Sequence, residues 1–447
     1  MNPRNSDTQF WKILKQIDRE DPQIKKGNLI EKRDGQFSQN DREAANEIGE
    51  YYQENSKIEF YKDDRKIGKD ARKIFHICKN KRSENPLFEE EITLDELNYA
   101  LTQQDPNKSP GPDGIHGQML RNLSIYGKEK LLQIYNKSWR ENKLPKEWKH
   151  SIIIPIHKAG KNEKEPKSYR PVALTCIACK IFERIILQRL MHHVNNQKLL
   201  PEEQYGFRPG HTTIDQILYF SQKVKDAQNC KPTKHTIAAF LDLSQAFDKV
   251  WRNKLITKIY HASNINGRAL AWIYDFFKMR TFKVKYNSEY SKTYKQFQGT
   301  PQGSVLSPIL FTLYLAGIEK QINEETDIAL FADDIILWTQ NHNAQEAELH
   351  LNNSVTSVNK YASEHKLNFN PAKSEIGFFT TNKKLYNAKP NIYLKNELLK
   401  GNKHPKYLGF TLDPEITSNK HIETICNKGR KRLNILKSLA ESRCSNA

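Results

Sequence analysis

Two short segments place carboxylates where a run of strand-forming residues breaks: Phe240-Leu241-Asp242-Leu243-Ser244-Gln245-Ala246-Phe247-Asp248 and Phe331-Ala332-Asp333-Asp334. An aspartate pair at the turn of an apolar hairpin costs stability, because like charges repel and lose hydration. A divalent cation shared with a third carboxylate would offset that cost, and Asp242 is the third. Oxygen-only ligands of this kind suit Mg²⁺, with Mn²⁺ as an alternative. Two such ions roughly 3.5–4 Å apart can activate an attacking hydroxyl and stabilise a leaving phosphate oxygen. Read alone, Asp333-Asp334 is equally a polar hairpin turn and Asp242 a strand-ending cap.

The elements that must hold these groups are legible around them. Thr236 to Leu241 leads into Asp242, and the aspartate pair is held between Ile328-Ala329-Leu330-Phe331 and Ile335-Ile336-Leu337-Trp338. Both flanks are apolar enough for buried strands. Upstream, Ile152 to Lys158 reads as a strand ending in a cation, and Ser168 to Leu174 as a second extended piece beyond a Lys-rich turn. Thr93-Leu94-Asp95-Glu96 is a capping-box pattern that opens a helix to about Leu101, with Ile92 and Leu97 as its staple. From Ile177, apolar positions at 181, 182, 185, 186 and 190 mark one helix face, which leaves Arg184 and Arg189 solvated or structural. Gln204 to Gly210 is a turn before a helix opened by Thr213-x-x-Gln216, and Pro308 starts an apolar helix from Ile309 to Ile318. Near the start, Asn40 to Gln53 has a helical apolar face, and Lys62 to Arg82 holds nine Lys/Arg against three Asp. That second stretch reads as a solvated helix face or as a phosphate contact.

Composition narrows the partner more than the reaction. Among 447 residues, 71 Lys+Arg against 52 Asp+Glu leave a net charge of +19, which favours a polyanionic partner. With 37% hydrophobic residues the chain can bury more than one core. The longest apolar run, Ile309 to Ile318, falls short of the ~20 residues that span a bilayer. The first residues carry no apolar signal region, so the expected location is intracellular, in nucleus or cytoplasm, and neither secreted nor in a membrane. The Cys176-x-x-Cys179 pair has no second pair or histidines beside it at zinc-ligand spacing, so it is expected as reduced thiols in the first turn of a buried helix.

From about Ser109 to Asp413 the ordered blocks resemble reverse transcriptases, specifically those of non-LTR (LINE-type, jockey-like) retrotransposons. The blocks are Ser109-Pro110-Gly111-Pro112-Asp113-Gly114, the two aspartate segments, Gln298-Gly299-Thr300-Pro301-Gln302-Gly303-Ser304 between them, Lys366 to Ser374, and Tyr407 to Asp413. Phe331, where intron-encoded and retroviral polymerases commonly carry Tyr, favours the non-LTR reading. The resemblance implies an α+β right-hand polymerase fold: fingers, a palm with an antiparallel sheet, and a truncated thumb. The expected division is a basic helical lead-in at 1–85, fingers at 86–235 with the basic strand pair at 148–174, a palm at 236–413 and a thumb remnant at 414–447. The reverse transcriptase domain as a whole is expected at about 148–413.

The resemblance also implies roles. Asp242, Asp333 and Asp334 would hold two Mg²⁺ ions. Lys158 and Arg170 would approach the triphosphate of the incoming nucleotide, where Arg can bridge two phosphate oxygens and Lys acts as a point charge. Phe247, five positions after Asp242, would sit under the sugar and block a 2′-hydroxyl; otherwise it is a core residue. Gln302 would bond near the nucleotide, and Gly303 would let the backbone approach nucleic acid. Lys373 would lie near the triphosphate, and Tyr407-Leu408-Gly409 would hold the primer end. The expected partners are an RNA template, a DNA primer and deoxynucleoside triphosphates, with oligomeric state open. Endonuclease, Cys/His-knuckle and RNase H blocks are not found, so target cutting is not expected. The alternative function is a catalytically weak or inactive nucleic-acid-binding relic.

Overall fold

The computed structural model describes residues 29–444. Its strands in chain order are β1 (His150–His157), β2 (Tyr169–Leu174), β3 (His235–Asp242), β4 (Thr281–Tyr286), β5 (Glu289–Tyr290), β6 (Tyr294–Lys295), β7 (Thr326–Phe331), β8 (Asp334–Asn341), β9 (Glu375–Phe379), β10 (Tyr393–Leu394), β11 (Glu397–Leu398), β12 (Lys400–Gly401), β13 (Lys406–Tyr407) and β14 (Phe410–Thr411). Helices pack between and around them, which makes the chain α+β, as the sequence implied.

Five strands form the central sheet in the order β12-β9-β3-β8-β7. β3 is antiparallel to both β8 and β9, β7 is antiparallel to β8, and the edge strand β12 runs parallel to β9. β3 is central, so it is buried on both faces, and alternation sends its side chains into two cores. Ile237, Ala239 and Leu241 join the large core, built on helices including Ile177–Asn196 and Gly267–Phe277. Ala238 and Phe240 face the other way onto Phe220, Trp338, Phe379 and Tyr407.

The second sheet runs β2-β1-β4-β5, with β6 also paired to β4. β1 and β2 are antiparallel, setting Ile156 opposite Arg170, while β1 and β4 are parallel. This sheet crosses the division expected at residue 236, because the segment 281–295 folds back onto the basic strand pair. The helix Asp41–Asn55, capped by Asn40, covers the sheet with Ala44, Ala45, Ile48 and Tyr52. The basic helix Asp64–Asn80 also has a packed face: Ala71, Ile74 and Cys78 belong to the large core. The part of the lead-in that is described is therefore built into the body, and residues 1–28 lie outside the described region.

Local signals are mostly reproduced. The capping box at Thr93 and Glu96 opens the helix Leu94–Thr102. The later helix runs Thr213–Asn229, but its cap is Thr212 with Asp215, one residue before the expected pair. Gln216 is left free to be buried. Cys176 and Cys179 are buried thiols at the start of the helix Ile177–Asn196. Arg189 on that helix is structural, bonded through Nε and Nη2 to Glu96 and through Nη1 and Nη2 to the carbonyls of Leu87, Glu90 and Glu91. Among the described residues, no helix is long and apolar enough to cross a membrane.

Candidate active site

The β3–β8 register sets Asp242 directly opposite Asp334. Opposed residues of an antiparallel pair have Cβ atoms about 4.5–5.5 Å apart. Strands β7 and β8 are joined by a two-residue turn, Ala332-Asp333, between the paired Phe331 and Asp334. Ala332 takes φ 57°, a conformation such turns normally give to Gly, Asn or Asp. What holds it there is Gln204: this buried side chain accepts, through Oε1, from the N–H of Gly206 at 2.8 Å and of Ala332 at 3.2 Å. Gly206 is itself obligatory, since a Cβ there would lie 2.2 Å from Ala332 N. The 204–210 turn thus braces the aspartate hairpin from below.

The three carboxylates are in electrostatic conflict. Loss of solvation in the cleft, then the charges of Asp333 and Asp242, push Asp334 up to about 6. Burial, with Asp242 adding to it, also raises Asp333, against the pull of its own backbone N–H. Oxygen-only donors crowded so that the charge of one disfavours ionisation of the next are what a hard divalent cation relieves, so the donor set fits Mg²⁺ chemically. The expected cluster is nevertheless not assembled: among the described residues, no three His, Cys, Asp or Glu side chains converge as a metal-holding group. Asp242 has taken another counterion, with its Oδ2 3.4 Å from Lys373 Nζ.

Lys373 reaches Asp242 because the loop 368–374 is pinned to the end of β3. Asn370 N donates to Asp242 O at 2.9 Å, Asp242 N donates to Ser374 Oγ at 3.1 Å, and Ser244 N donates to Asn368 O at 2.8 Å. The cations of the second sheet lie close by. Lys158 is held below its usual value by burial and by the charges of Lys373, Arg170 and Lys161, so these groups share one field. Its Nζ donates to Lys167 O at 2.7 Å, whereas Arg170 and Lys373 are exposed.

Between the sheets runs the 298–306 loop. Gly299 N and Thr300 N donate to the carbonyls of Val250 and Phe247, and Ala173 N on β2 donates to Gln302 O at 2.8 Å. A Cβ on Gly303 would meet Ala173 O at 2.4 Å, so glycine is required for the backbone to approach β2. The approach is to protein as well as toward the cleft. Gln302 Nε2 donates to Asp248 Oδ1 at 2.9 Å. The far end of the loop is tied by the fully buried Glu183, which accepts from Ser304 Oγ, from Val305 N at 2.8 Å and from Leu306 N at 3.3 Å. Phe247 is half-buried, stacked on Phe311 at 4.5 Å and edge-on to Phe207 at 6.2 Å. Its ring therefore packs between a buried ring and an exposed one.

Tyr407 departs from its expected role. Strand alternation turns it inward, where it is 4% exposed among Phe220, Phe240 and Trp338, with Oη 2.7 Å from the Gln216 amide. Leu408 and Gly409 form the tight turn between β13 and β14, at φ 47° and 87°. The structure thus brings Asp242, Asp333, Asp334 and Lys373 to one sheet end, with Lys158 sharing a field with Lys373 and Arg170. Gln204, Glu183 and Asp248 were missed by sequence reasoning, because their partners lie 128, 122 and 54 residues away.

Residues 156–412 match the family model described as reverse transcriptase (RNA-dependent DNA polymerase). The chain is 32% identical over 356 residues to the "Probable RNA-directed DNA polymerase from transposon BS" of Drosophila melanogaster, covering 78% of this chain and 38% of that protein. It is 30% identical over 341 residues to the "RNA-directed DNA polymerase from mobile element jockey" of the same organism, covering 75% of this chain and 36% of that protein. The chain thus spans less than two-fifths of the length of these relatives.

Proposed function

Since the chain belongs to the reverse transcriptase family, we propose that it is the RNA-directed DNA polymerase of a non-LTR, jockey-like retrotransposon, extending a DNA primer on an RNA template with deoxynucleoside triphosphates. The observation that carries this reading is the register of β3, β7 and β8, which sets Asp242 opposite Asp334 with Asp333 in the adjoining turn. It is supported by Lys373 beside Asp242 and by the field that Lys373 shares with Lys158 and Arg170. The sheet β12-β9-β3-β8-β7 is assigned as palm, the sheet containing β1 and β2 as the base of the fingers, and the helix Asn419–Cys444 as the start of a thumb. The site of action is nucleus or cytoplasm, where template and nucleotides are available.

Two Mg²⁺ ions, or Mn²⁺, held by Asp242 and Asp333 with Asp334 beside them, would supply Lewis acidity to the primer 3′-hydroxyl and charge neutralisation to the departing pyrophosphate. Arg170 is exposed and planar, suited to grip two phosphate oxygens at once. Lys373 leaves Asp242 for the triphosphate when nucleotide arrives, and there it can hand a proton to pyrophosphate. Phe247 walls the sugar, and Gln302 meets the nucleotide from the loop. Leu408 and Gly409, rather than the inward Tyr407, are the parts of the hairpin open to a primer strand. Base sequence is read by pairing, so the protein needs phosphate-directed charge more than base contacts.

Primer extension on an RNA template with Mg²⁺, beside Asp333→Asn, tests the reading. Asparagine preserves size while removing the charge, so binding to primer–template should persist and synthesis should collapse. Binding without synthesis in both proteins identifies a relic, and synthesis retained in Asp333→Asn overturns the assignment of this carboxylate.

A further inference from the structure

Asp248 is a carboxylate that the proposed chemistry does not use and whose position is costly. Burial pushes it up to about 6, against the bond from Gln302 and the charges of Lys249 and Lys158. A group kept ionised against desolvation beside a cleft is a candidate for a functional task. Its neighbours make the task specific. Phe247, the residue before it, gives its carbonyl to Thr300 N at 2.8 Å, and Val250 gives its carbonyl to Gly299 N at 2.9 Å. A Cβ on Gly299 would meet the Asp248 backbone at 2.6 Å. The loop's main chain is therefore already fixed against the 247–250 segment without the Asp248 side chain. Its far end is fixed by Glu183 through Val305 and Leu306. What remains free is the Gln302 side chain, and that is where Asp248 Oδ1 bonds, at 2.9 Å from Nε2.

An ionised carboxylate only accepts, so it selects one of the two orientations of an amide. With Nε2 committed to Asp248, Gln302 is left with its Oε1 as the acceptor that can face a ligand. We propose that Asp248 is a positioning residue for polymerisation, holding the Gln302 amide so that an acceptor oxygen is presented to a donor group on the incoming deoxynucleotide. This rests on the polymerase reading above and deepens it by assigning a direction to the hydrogen bond. The buried Tyr52 hydroxyl of the helix Asp41–Asn55, which has no hydrogen-bond partner among the described residues, lies within the field of the Asp248 charge.

The test is steady-state primer extension by the full chain with Asp248→Ala, Asp248→Asn, Gln302→Ala and the double variant Asp248→Ala/Gln302→Ala, each with a melting temperature. Asp248→Ala and Gln302→Ala should each raise the KM for deoxynucleotide about tenfold, the cost of one hydrogen bond to a charged group or of its loss at the ligand, with kcat within about twofold. The double variant should be no worse than Gln302→Ala, since both remove one unit. Asp248→Asn, whose amide oxygen still accepts from Nε2, should recover most of the wild-type KM. Additive effects in the double variant, or a fall in kcat and melting temperature with KM unchanged, would make Asp248 a structural strut and overturn the proposal alone. A wild-type chain that binds primer–template but does not extend it overturns both the polymerase reading and this one.

Discussion

Two charged regions of the molecule are built to opposite rules. At the end of the central sheet, burial raises both Asp333 and Asp334, Asp242 adds to both and Asp333 adds to Asp334, while exposed Lys373 is a counterion to Asp242 at 3.4 Å. Behind the sheet, Arg189 is 6% exposed, yet all its charge is answered: its Nε and Nη2 meet Glu96 at 2.6 and 2.7 Å, and three carbonyls take the remaining bonds. Burial works against ionisation of Glu96, but the bonds from Arg189 overcome it and hold the acid below its usual range. At Arg189 the charge buried for the fold is saturated, whereas the charge left in conflict at the sheet end awaits something from outside. The contrast separates a strut from a site without reference to any relative.

The sharpest way to break that contrast is to remove one charge from each region. Asp242→Asn should lower primer extension by about 10³-fold or more, the several kcal/mol expected when a metal-holding charge is lost. Its melting temperature should hold, because the substitution also removes repulsion from Asp334. Arg189→Met should do the reverse. It strands the Glu96 carboxylate and the carbonyls of Leu87, Glu90 and Glu91, costing about 3 kcal/mol in denaturant unfolding, while the activity of the molecules that remain folded stays near wild type. Equal losses of stability in both variants would remove the distinction.

A third region gives the contrast a pH axis. His365 is buried against Tyr361, their rings 4.0 Å apart, and burial followed by the charge of Lys258 lowers it to about 3. The unfolded chain binds a proton near pH 6.5 and the folded one does not until about 3, so stability falls as pH falls through that window. Between pH 6.5 and 5 the loss should approach 2 kcal/mol, from about 1.36 kcal/mol per unit. His365→Gln should flatten that acid limb in urea titrations. An unchanged limb would assign it to other groups.

How much of this was readable beforehand follows from range. β3, β7 and β8 were legible because their apolar runs are continuous and broken by charge, and the box at Thr93 because its partners lie three residues apart. The pairing of β4 with β1 was not, since a sheet partner more than a hundred residues distant leaves no local period. The inward turn of Tyr407 follows from strand alternation only once the register of β13 is known. Gln204 and Glu183 carry polar side chains on segments whose local pattern explains them as turn and helix residues. Their partners are backbone N–H groups, and every residue but proline has one, so nothing in the partner's identity signals the bond. The site was legible as chemistry, while its bracing was not.

Phe247 sits on the boundary between the two rules, which makes it the finest test. Its ring stacks on Phe311 as a core residue would, yet it stands five positions beyond Asp242 and edge-on to the exposed Phe207. If packing alone fixes it, Phe247→Val leaves a void and lowers stability, with the preference for deoxynucleotides intact. If the ring also walls the sugar, the same substitution should raise ribonucleotide incorporation relative to deoxynucleotide by about tenfold, near the 1.4 kcal/mol that a modest steric contact is worth. Both effects should be seen together if the ring serves both roles, since it stacks on the buried Phe311 and meets the exposed Phe207 edge-on. Competitive incorporation of matched ribo- and deoxynucleotides on one template separates the outcomes, since the ratio cancels any loss of folded enzyme. A ratio unchanged from wild type returns Phe247 to the core and leaves sugar selection to another residue.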